Sequence, residues 1–326
     1  MKNKQIRWGI LGAGRIADKF CTALVSTPNA ILHAVASRNI TSGKPFSEKF
    51  SAVKYYNNYQ DLVSDPAVDI IYIATPHIFH YEQVKLCLEN NKPVLCEKPI
   101  GVSYLQTQQM IDLAIEKKLF LMEGMWTACM PFIKKIKEII DEGLIGTIAN
   151  VQADLGFTAP NDPEDRLLNK ALAGGSILDV GVYPISLATL LLGQPIIVKS
   201  VSTLTETGVD AYSNVILQYP SGATAQLLSS LTFETPKEVV IMGTKGLIKV
   251  DSPWYMATNF TVILEDGTEK SFHIPHPNNG FEYEIIEVMD CLNNKRLESQ
   301  SVPHAQTLIV SKIMDELLFQ AGVIYE

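Results

Sequence analysis

Ile6-Arg7-Trp8-Gly9-Ile10-Leu11 runs directly into Gly12-Ala13-Gly14-Arg15-Ile16-Ala17, and a second apolar run at 31–36 ends in Ser37-Arg38. The order is strand, glycine turn, helix, strand. Such a unit holds a dinucleotide. Gly12 permits the tight turn, Gly14 lets the backbone approach a pyrophosphate, and Ala17 is small enough for the helix to pack on the strand. The free N–H groups where the helix begins, at Arg15 and Ile16, lie at the positive end of its dipole and attract phosphate. A G-x-G-x-x-A triplet alone also occurs in ordinary glycine-rich turns. The apolar strand before it and the apolar-periodic helix after it give it meaning.

The end of the second strand bears on which dinucleotide is held. Sites that prefer NAD carry Asp or Glu there, accepting hydrogen bonds from the ribose hydroxyls. This chain has Ser37-Arg38 instead. A carboxylate would repel a 2′-phosphate, whereas a guanidinium can pair with it bidentately and stack on the adenine. NADP is therefore expected over NAD, with Ser37 and Arg38 as the readers. The competing reading leaves Arg38 as a solvated loop charge.

The chain has 326 residues, 47% of them apolar, which is enough for two domains with cores of their own. The expected division is a nucleotide-binding domain at 1–122 and a substrate-binding and dimerisation domain at 123–326. Net charge is −8 with no basic block, which argues against nucleic acid and against an anionic membrane surface as partners. The start superficially resembles a signal peptide, but its short apolar run is interrupted by the glycine turn and reads as the first strand. The most apolar long stretch, 177–198, contains Asp179, Pro184, Gln194 and Pro195, and reads as a buried helix and strand rather than a membrane span. Cys21, Cys87, Cys96, Cys129 and Cys291 are scattered, odd in number and without a C-x-x-C pair. That fits reduced thiols in a cytoplasmic protein and gives no metal site.

Beyond the first unit, strand-like runs at 69–73, 93–96 and 119–122 alternate with helical patterns at 79–89 and 103–117. Such alternation implies a doubly wound parallel sheet. Its crossovers are right-handed, so the loops at the carboxyl ends of the strands share one edge. The glycine turn, Ser37-Arg38, Thr75-Pro76-His77 and Glu97-Lys98-Pro99 are expected at one crevice there. After Met122 the texture changes. A helix at 131–142 precedes strand-like runs at 148–155, 196–204, 215–219, 224–231, 238–241, 247–250 and 260–264. Turn signals such as Pro220-Ser221-Gly222 and Glu265-Asp266-Gly267 separate several of them. The close spacing implies an open, mostly antiparallel sheet in an α+β domain. Helices at 180–192, 282–292 and 305–320 are expected to cover one face, and a second copy of the chain the other.

Lys98 follows a parallel strand and is a cation at the expected crevice. It can polarise a substrate oxygen or favour the ionised form of a nearby phenol. It can equally be a loop lysine in water. Gly174-Gly175-Ser176-Ile177-Leu178-Asp179-Val180-Gly181-Val182-Tyr183 opens the backbone close to something and then starts a helix. Asp179 and Tyr183 are four apart and share a face if that turn is continuous. A phenol can move the proton that accompanies hydride transfer, and Asp179 can hold a substrate hydroxyl or orient the lysine. The plainer alternatives are a helix-capping Asp179 and a core Tyr183. His77 and His80 are three apart, but no third ligand sits near, so they read as a helix start on the cofactor side rather than a metal pair. Trp126, Phe157 and Trp254 can wall an apolar pocket or sit in the core. Arg166 can meet substrate or solvent.

Together these pieces resemble the glucose–fructose oxidoreductase / inositol dehydrogenase family. The matches are Gly12 to Ala17, Ala74-Thr75-Pro76-His77 with His80, Glu97-Lys98-Pro99, and Gly174-Gly175 followed by Asp179 to Tyr183. Within the family the chain is most similar to the branch of dimeric dihydrodiol dehydrogenases and NADP-dependent D-xylose 1-dehydrogenases, through 94–102, 119–127, 206–210 and 217–220. That similarity weakens after about Pro253. The resemblance implies a Rossmann domain followed by a domain whose open sheet forms a dimer. It implies Lys98 and Tyr183 as the catalytic pair with Asp179 nearby, and Trp126 and Phe157 at the substrate. Inositol dehydrogenases carry His where this chain has Tyr183, which puts an inositol substrate in doubt. The expected activity is oxidation or reduction at a carbinol or carbonyl carbon of a sugar, polyol or cyclic diol. The rival readings are a non-enzymatic NADP(H)-binding regulator, which could dispense with Lys98 and Tyr183, and a reductase of an inositol-derived ketone or keto-sugar.

Overall fold

In a computed structural model, which describes residues 4–325, the opening apolar run forms β1 (Ile6–Leu11) and the segment after the glycine turn forms α1 (Arg15–Leu24). On α1, Ala17, Phe20, Cys21, Ala23 and Leu24 make a buried stripe at helical spacing. Strand β2 (Ala30–Ala36), α2 (Ile40–Lys49), β3 (Lys54–Tyr56), α3 (Tyr59–Ser64), β4 (Ile70–Ile73), α4 (His80–Glu89), β5 (Val94–Glu97), α5 (Tyr104–Lys117) and β6 (Leu121–Gly124) follow in turn. The strands lie in the order β3-β2-β1-β4-β5-β6, all parallel. Every residue of β4 and β5 is buried, as a parallel sheet covered on both faces requires. The winding reverses between β1 and β4. At such a point, beyond the carboxyl ends of the strands, open α/β sheets bind their ligands.

A second sheet comes from α6 (Pro131–Asp141), β7 (Ile148–Gly156), α7 (Val182–Leu192), β8 (Ile197–Leu204), β9 (Asp210–Gln218), β10 (Thr224–Ser230), β11 (Val239–Gly243), β12 (Gly246–Val250), β13 (Asn259–Leu264) and β14 (Glu269–His273). Its order is β14-β13-β12-β11-β7-β10-β9-β8, antiparallel except for β7 with β10. Helix α7, in the most apolar stretch, packs on β7 and β10. The opposite face carries Gln152, Asn214, Ile216, Gln226, Leu228 and Val240.

The last two helices, α8 (Phe281–Asn293) and α9 (His304–Ala321), part company. By contacts the chain forms one unit from 1–101, 105–129 and 277–304, and another from 102–104, 130–276 and 305–326. This differs from the boundary expected at 122/123, and it corrects the expectation that α8 covers the second sheet. Helix α8 packs on α1 in the first unit. The reason is an aromatic chain. Phe281 stacks on Trp126 with centroids 4.4 Å apart and meets Phe20 edge-on at 6.3 Å. Phe20 in turn stacks on Tyr72 of β4 at 3.7 Å.

Candidate active site

The glycine turn is shaped by close approach. Gly12 has φ +101°, and a Cβ there would lie 3.0 Å from both the Ala74 carbonyl oxygen and Thr75 Cγ2. Gly14 caps α1 in an extended conformation with no side-chain hydrogen bond to the helix start. Gly14 and Arg15 are exposed and Ile16 is half-buried. Leading N–H groups without a side-chain cap, reached over glycine, fit a phosphate group.

Past β2, Ser37 is buried, and its hydroxyl donates to the Asn39 carbonyl at 3.2 Å. Arg38 is exposed. Its guanidinium carbon lies 5.3 Å from the Phe79 ring centroid and 5.6 Å from that of Tyr59. Two rings thus flank a delocalised cation, which suits recognition of a planar base or a phosphate. Nothing in the sequence pattern singled out Tyr59 or Phe79.

Past β4, Thr75 Oγ1 donates to Gln83 Oε1 at 2.6 Å, and Pro76 leads into a turn at His77–Phe79. His80 opens α4 and is buried, with Nδ1 2.8 Å from the Pro99 carbonyl and Nε2 2.9 Å from the Thr75 carbonyl. Burial pushes its pKa down to about 4, so near pH 7 the neutral ring has one N–H to donate to one of these carbonyls. His80 thereby links the β4 and β5 loops. Among the described residues no group of three or more His, Cys, Asp or Glu side chains is placed to hold a metal ion.

Strand β5 ends at Glu97, and this carboxylate also turns inward. Tyr72 donates its hydroxyl to Glu97 Oε1 at 2.5 Å, and the Lys98 backbone N–H donates to Glu97 Oε2 at 3.2 Å. Burial, and then the charge of Glu97, hold the Glu284 carboxyl of α8 well above the usual range. Glu97 therefore braces the loop from within. Lys98 is half-buried just past the strand's carboxyl end, on the edge that also carries the glycine turn. Trp126, 6% exposed, packs face to face with Phe281 within this unit.

In the second unit the helix starts earlier than expected. Residues Ile177–Gly181 form a π-helical turn that continues into α7. Such turns recur at functional sites. Asp179 lies inside this turn and is buried. Arg166 Nη1 donates to Asp179 Oδ1 at 2.9 Å, so the carboxylate is ion-paired rather than capping a helix. Tyr183, in the first turn of α7, is half-buried against Leu155, Ala159, Leu167, Val180 and Leu231. Phe157 and Tyr255 pack on the same cluster, and the Tyr255 ring is 5.8 Å from that of Tyr183. The second unit thus gathers Phe157, Tyr183 and Tyr255 on one apolar wall, and the neighbours of two wall residues, Arg166 before Leu167 and Asp179 before Val180, form the ion pair. Tyr255 carried no signal in the sequence. Trp254 is core, with its indole N–H donating to the Asp154 carbonyl at 2.8 Å.

The profile described as "Oxidoreductase family, NAD-binding Rossmann fold" matches residues 6–125, and the GFO/IDH/MocA C-terminal domain matches 133–249. A trans-1,2-dihydrobenzene-1,2-diol dehydrogenase of Xenopus tropicalis is 35% identical, over 98% of this chain and 99% of its own. A D-xylose 1-dehydrogenase (NADP(+)) of Hypocrea jecorina is 33% identical, over 98% of this chain and 93% of its own. Among solved structures, an aldose-aldose oxidoreductase from Caulobacter crescentus, complexed with glycerol, has a TM-score of 0.89 at 25% identity, covering 98% of each chain. A levoglucosan dehydrogenase in complex with NADH and levoglucosan shares the fold, with a TM-score of 0.87 at 18% identity over 97% of each chain.

Proposed function

We propose, because the chain belongs to the GFO/IDH/MocA oxidoreductase family, that it is an NADP-dependent dehydrogenase acting on a carbinol carbon of a sugar, polyol or cyclic diol, or a reductase in the reverse direction. Bound NADP supplies the hydride acceptor for this chemistry. The chain's own residues do the rest. The uncapped start of α1 and the Gly12–Gly14 turn hold phosphate, and Arg38 between its two rings reads the 2′-phosphate and adenine. Tyr183 moves the hydroxyl proton, and Lys98 supplies positive charge to the substrate oxygen. Asp179, oriented by Arg166, accepts a hydrogen bond from a neighbouring substrate hydroxyl. Phe157 and Trp126 offer apolar surface to a ring. The observation that carries this reading is the placement of Tyr183, a half-buried phenol on the wall shared with Phe157, one helical turn after the Arg166–Asp179 pair.

The test is absorbance. Pure protein mixed with NADP⁺ and a panel of aldoses, polyols and trans-diols is expected to generate NADPH with at least one of them. Cofactor that binds, seen by fluorescence, but is reduced by none in either direction would defeat the proposal.

The reading includes a homodimer through the open sheet face, where Ile216 is 46% exposed beside Leu228 and Val240. Light scattering is expected to give twice the chain mass, and Ile216→Lys is expected to shift it toward the single chain. A wild-type mass of one chain at micromolar concentration would refute this. The five cysteines are buried thiols, which supports a reducing, cytoplasmic setting.

A further inference from the structure

The helical segment bearing Asp179 and Tyr183 is anchored by a group outside the site. Asp210, the first residue of β9, is fully buried. Its Oδ2 accepts from the Ser176 hydroxyl at 2.7 Å and from the Ile177 N–H at 2.6 Å. Ser176 Oγ also lies 3.0 Å from Ser229 Oγ of β10. Asp210 Oδ1, without a hydrogen-bond partner among the described residues, lies so close over Gly175 that a Cβ there would collide with it, and Gly175 has φ +121°. Tyr325 donates its hydroxyl to the Gly174 carbonyl and closes the other side. The Gly175 N–H donates to the Leu167 carbonyl at 2.8 Å, so the same stretch also fixes the residue after Arg166.

We propose that Asp210 is a positioning residue: its carboxylate, placed where a helix dipole favours negative charge, clamps Ser176 and Ile177 and thereby sets the π-helical turn, the Arg166–Asp179 pair and Tyr183. This rests on the reading of Tyr183 and Asp179 as site residues. Asparagine could accept the same two hydrogen bonds without the cost of burying a charge, so an acid here points to a use for the ionised form.

The acid's behaviour with pH separates positioning from mere support. Of the groups facing Asp210 among the described residues, Tyr325 is titratable; Ser176 presents its hydroxyl, Ile177 its N–H and Gly175 its backbone. Burial pushes Asp210 up to about 6. A raised carboxyl pKa means the folded state binds the proton more tightly than the unfolded chain. The resulting stabilisation is complete below about pH 4 and is lost as pH rises through about 6. Turnover should run the other way, falling as pH drops through about 6, because the neutral acid accepts hydrogen bonds more weakly. A purely structural group would move both together.

The experiment compares wild type, Asp210→Asn and Asp210→Ala as NADP-loaded protein. It follows kcat from pH 5 to 8, NADP⁺ affinity, and amide hydrogen exchange. Asp210→Ala is expected to lose about 10- to 100-fold in kcat. It should exchange faster across 174–183 while residues 6–125 and NADP⁺ affinity stay as in wild type. Asp210→Asn, a neutral acceptor at every pH, should hold kcat from pH 5 to 8 at the lowered level that wild type reaches below pH 6, with no acidic decline of its own. Unchanged exchange and kcat in Asp210→Ala, or an acidic decline retained in Asp210→Asn, overturns the proposal. If Asp210→Ala does not fold, the pH profile of Asp210→Asn decides. Full activity in Tyr183→Phe would remove the catalytic reading instead, and the exchange difference at 174–183 would still judge the clamp.

Discussion

Tyr183→Phe is expected to lower kcat by about 10²- to 10⁴-fold, the range for loss of a positioned general acid or base. The ring remains to pack against Leu155, Val180 and Leu231, so the fold and the melting temperature should hold. Only the phenolic oxygen is lost. Lys98→Met should cost a similar factor in kcat, because it removes the charge while retaining much of the stem. NADP⁺ affinity, measured by fluorescence titration, should stay within a few-fold in both, since the phosphate-holding glycine turn is untouched. A Tyr183→Phe enzyme with wild-type kcat would end the assignment of this phenol as the proton carrier, whatever the substrate proves to be.

Arg38→Ser is expected to weaken NADP⁺ far more than NAD⁺. A charge-assisted, bidentate contact with a 2′-phosphate is worth roughly 1.5–3 kcal/mol, so KM for NADP⁺ should rise about 10- to 150-fold. NAD⁺ has no such phosphate, and its KM should change only by what is lost in stacking. Tyr59→Leu offers a finer check, because one of the two rings that orient the guanidinium disappears while its charge remains. An intermediate rise for NADP⁺ is expected there. Equal losses for the two cofactors in Arg38→Ser would refute the 2′-phosphate reading.

Much of the fold was legible because parallel strands buried on both faces must be continuous apolar runs, and the glycine turn fixes where the first helix begins. Strand β3 has three residues, and β14 carries Glu269, Lys270, Ser271 and His273 outward with little apolar alternation, so neither produced a signal. Helix α8 was legible as a helix but not in its destination. An amphipathic period reveals that a face is buried, not against which core. The site shows the same division. The glycine turn and Glu97 fall at strand ends as the pattern predicts, but the inward turn of Glu97 and the closeness of the His80 ring to two backbone carbonyls depend on packing between loops. The Arg166–Asp179 pair spans irregular backbone whose path no periodicity encodes.

The return of 277–304 to the first unit makes that unit discontinuous in sequence. A chain cut after β6 would retain every parallel strand and every residue of the glycine turn, yet it would lack Phe281 against Phe20 and the whole of α8 over α1. The nucleotide half is therefore not an excisable N-terminal module. In evolutionary or engineering terms, swapping it onto another scaffold means carrying a piece from near the far end of the gene along with it.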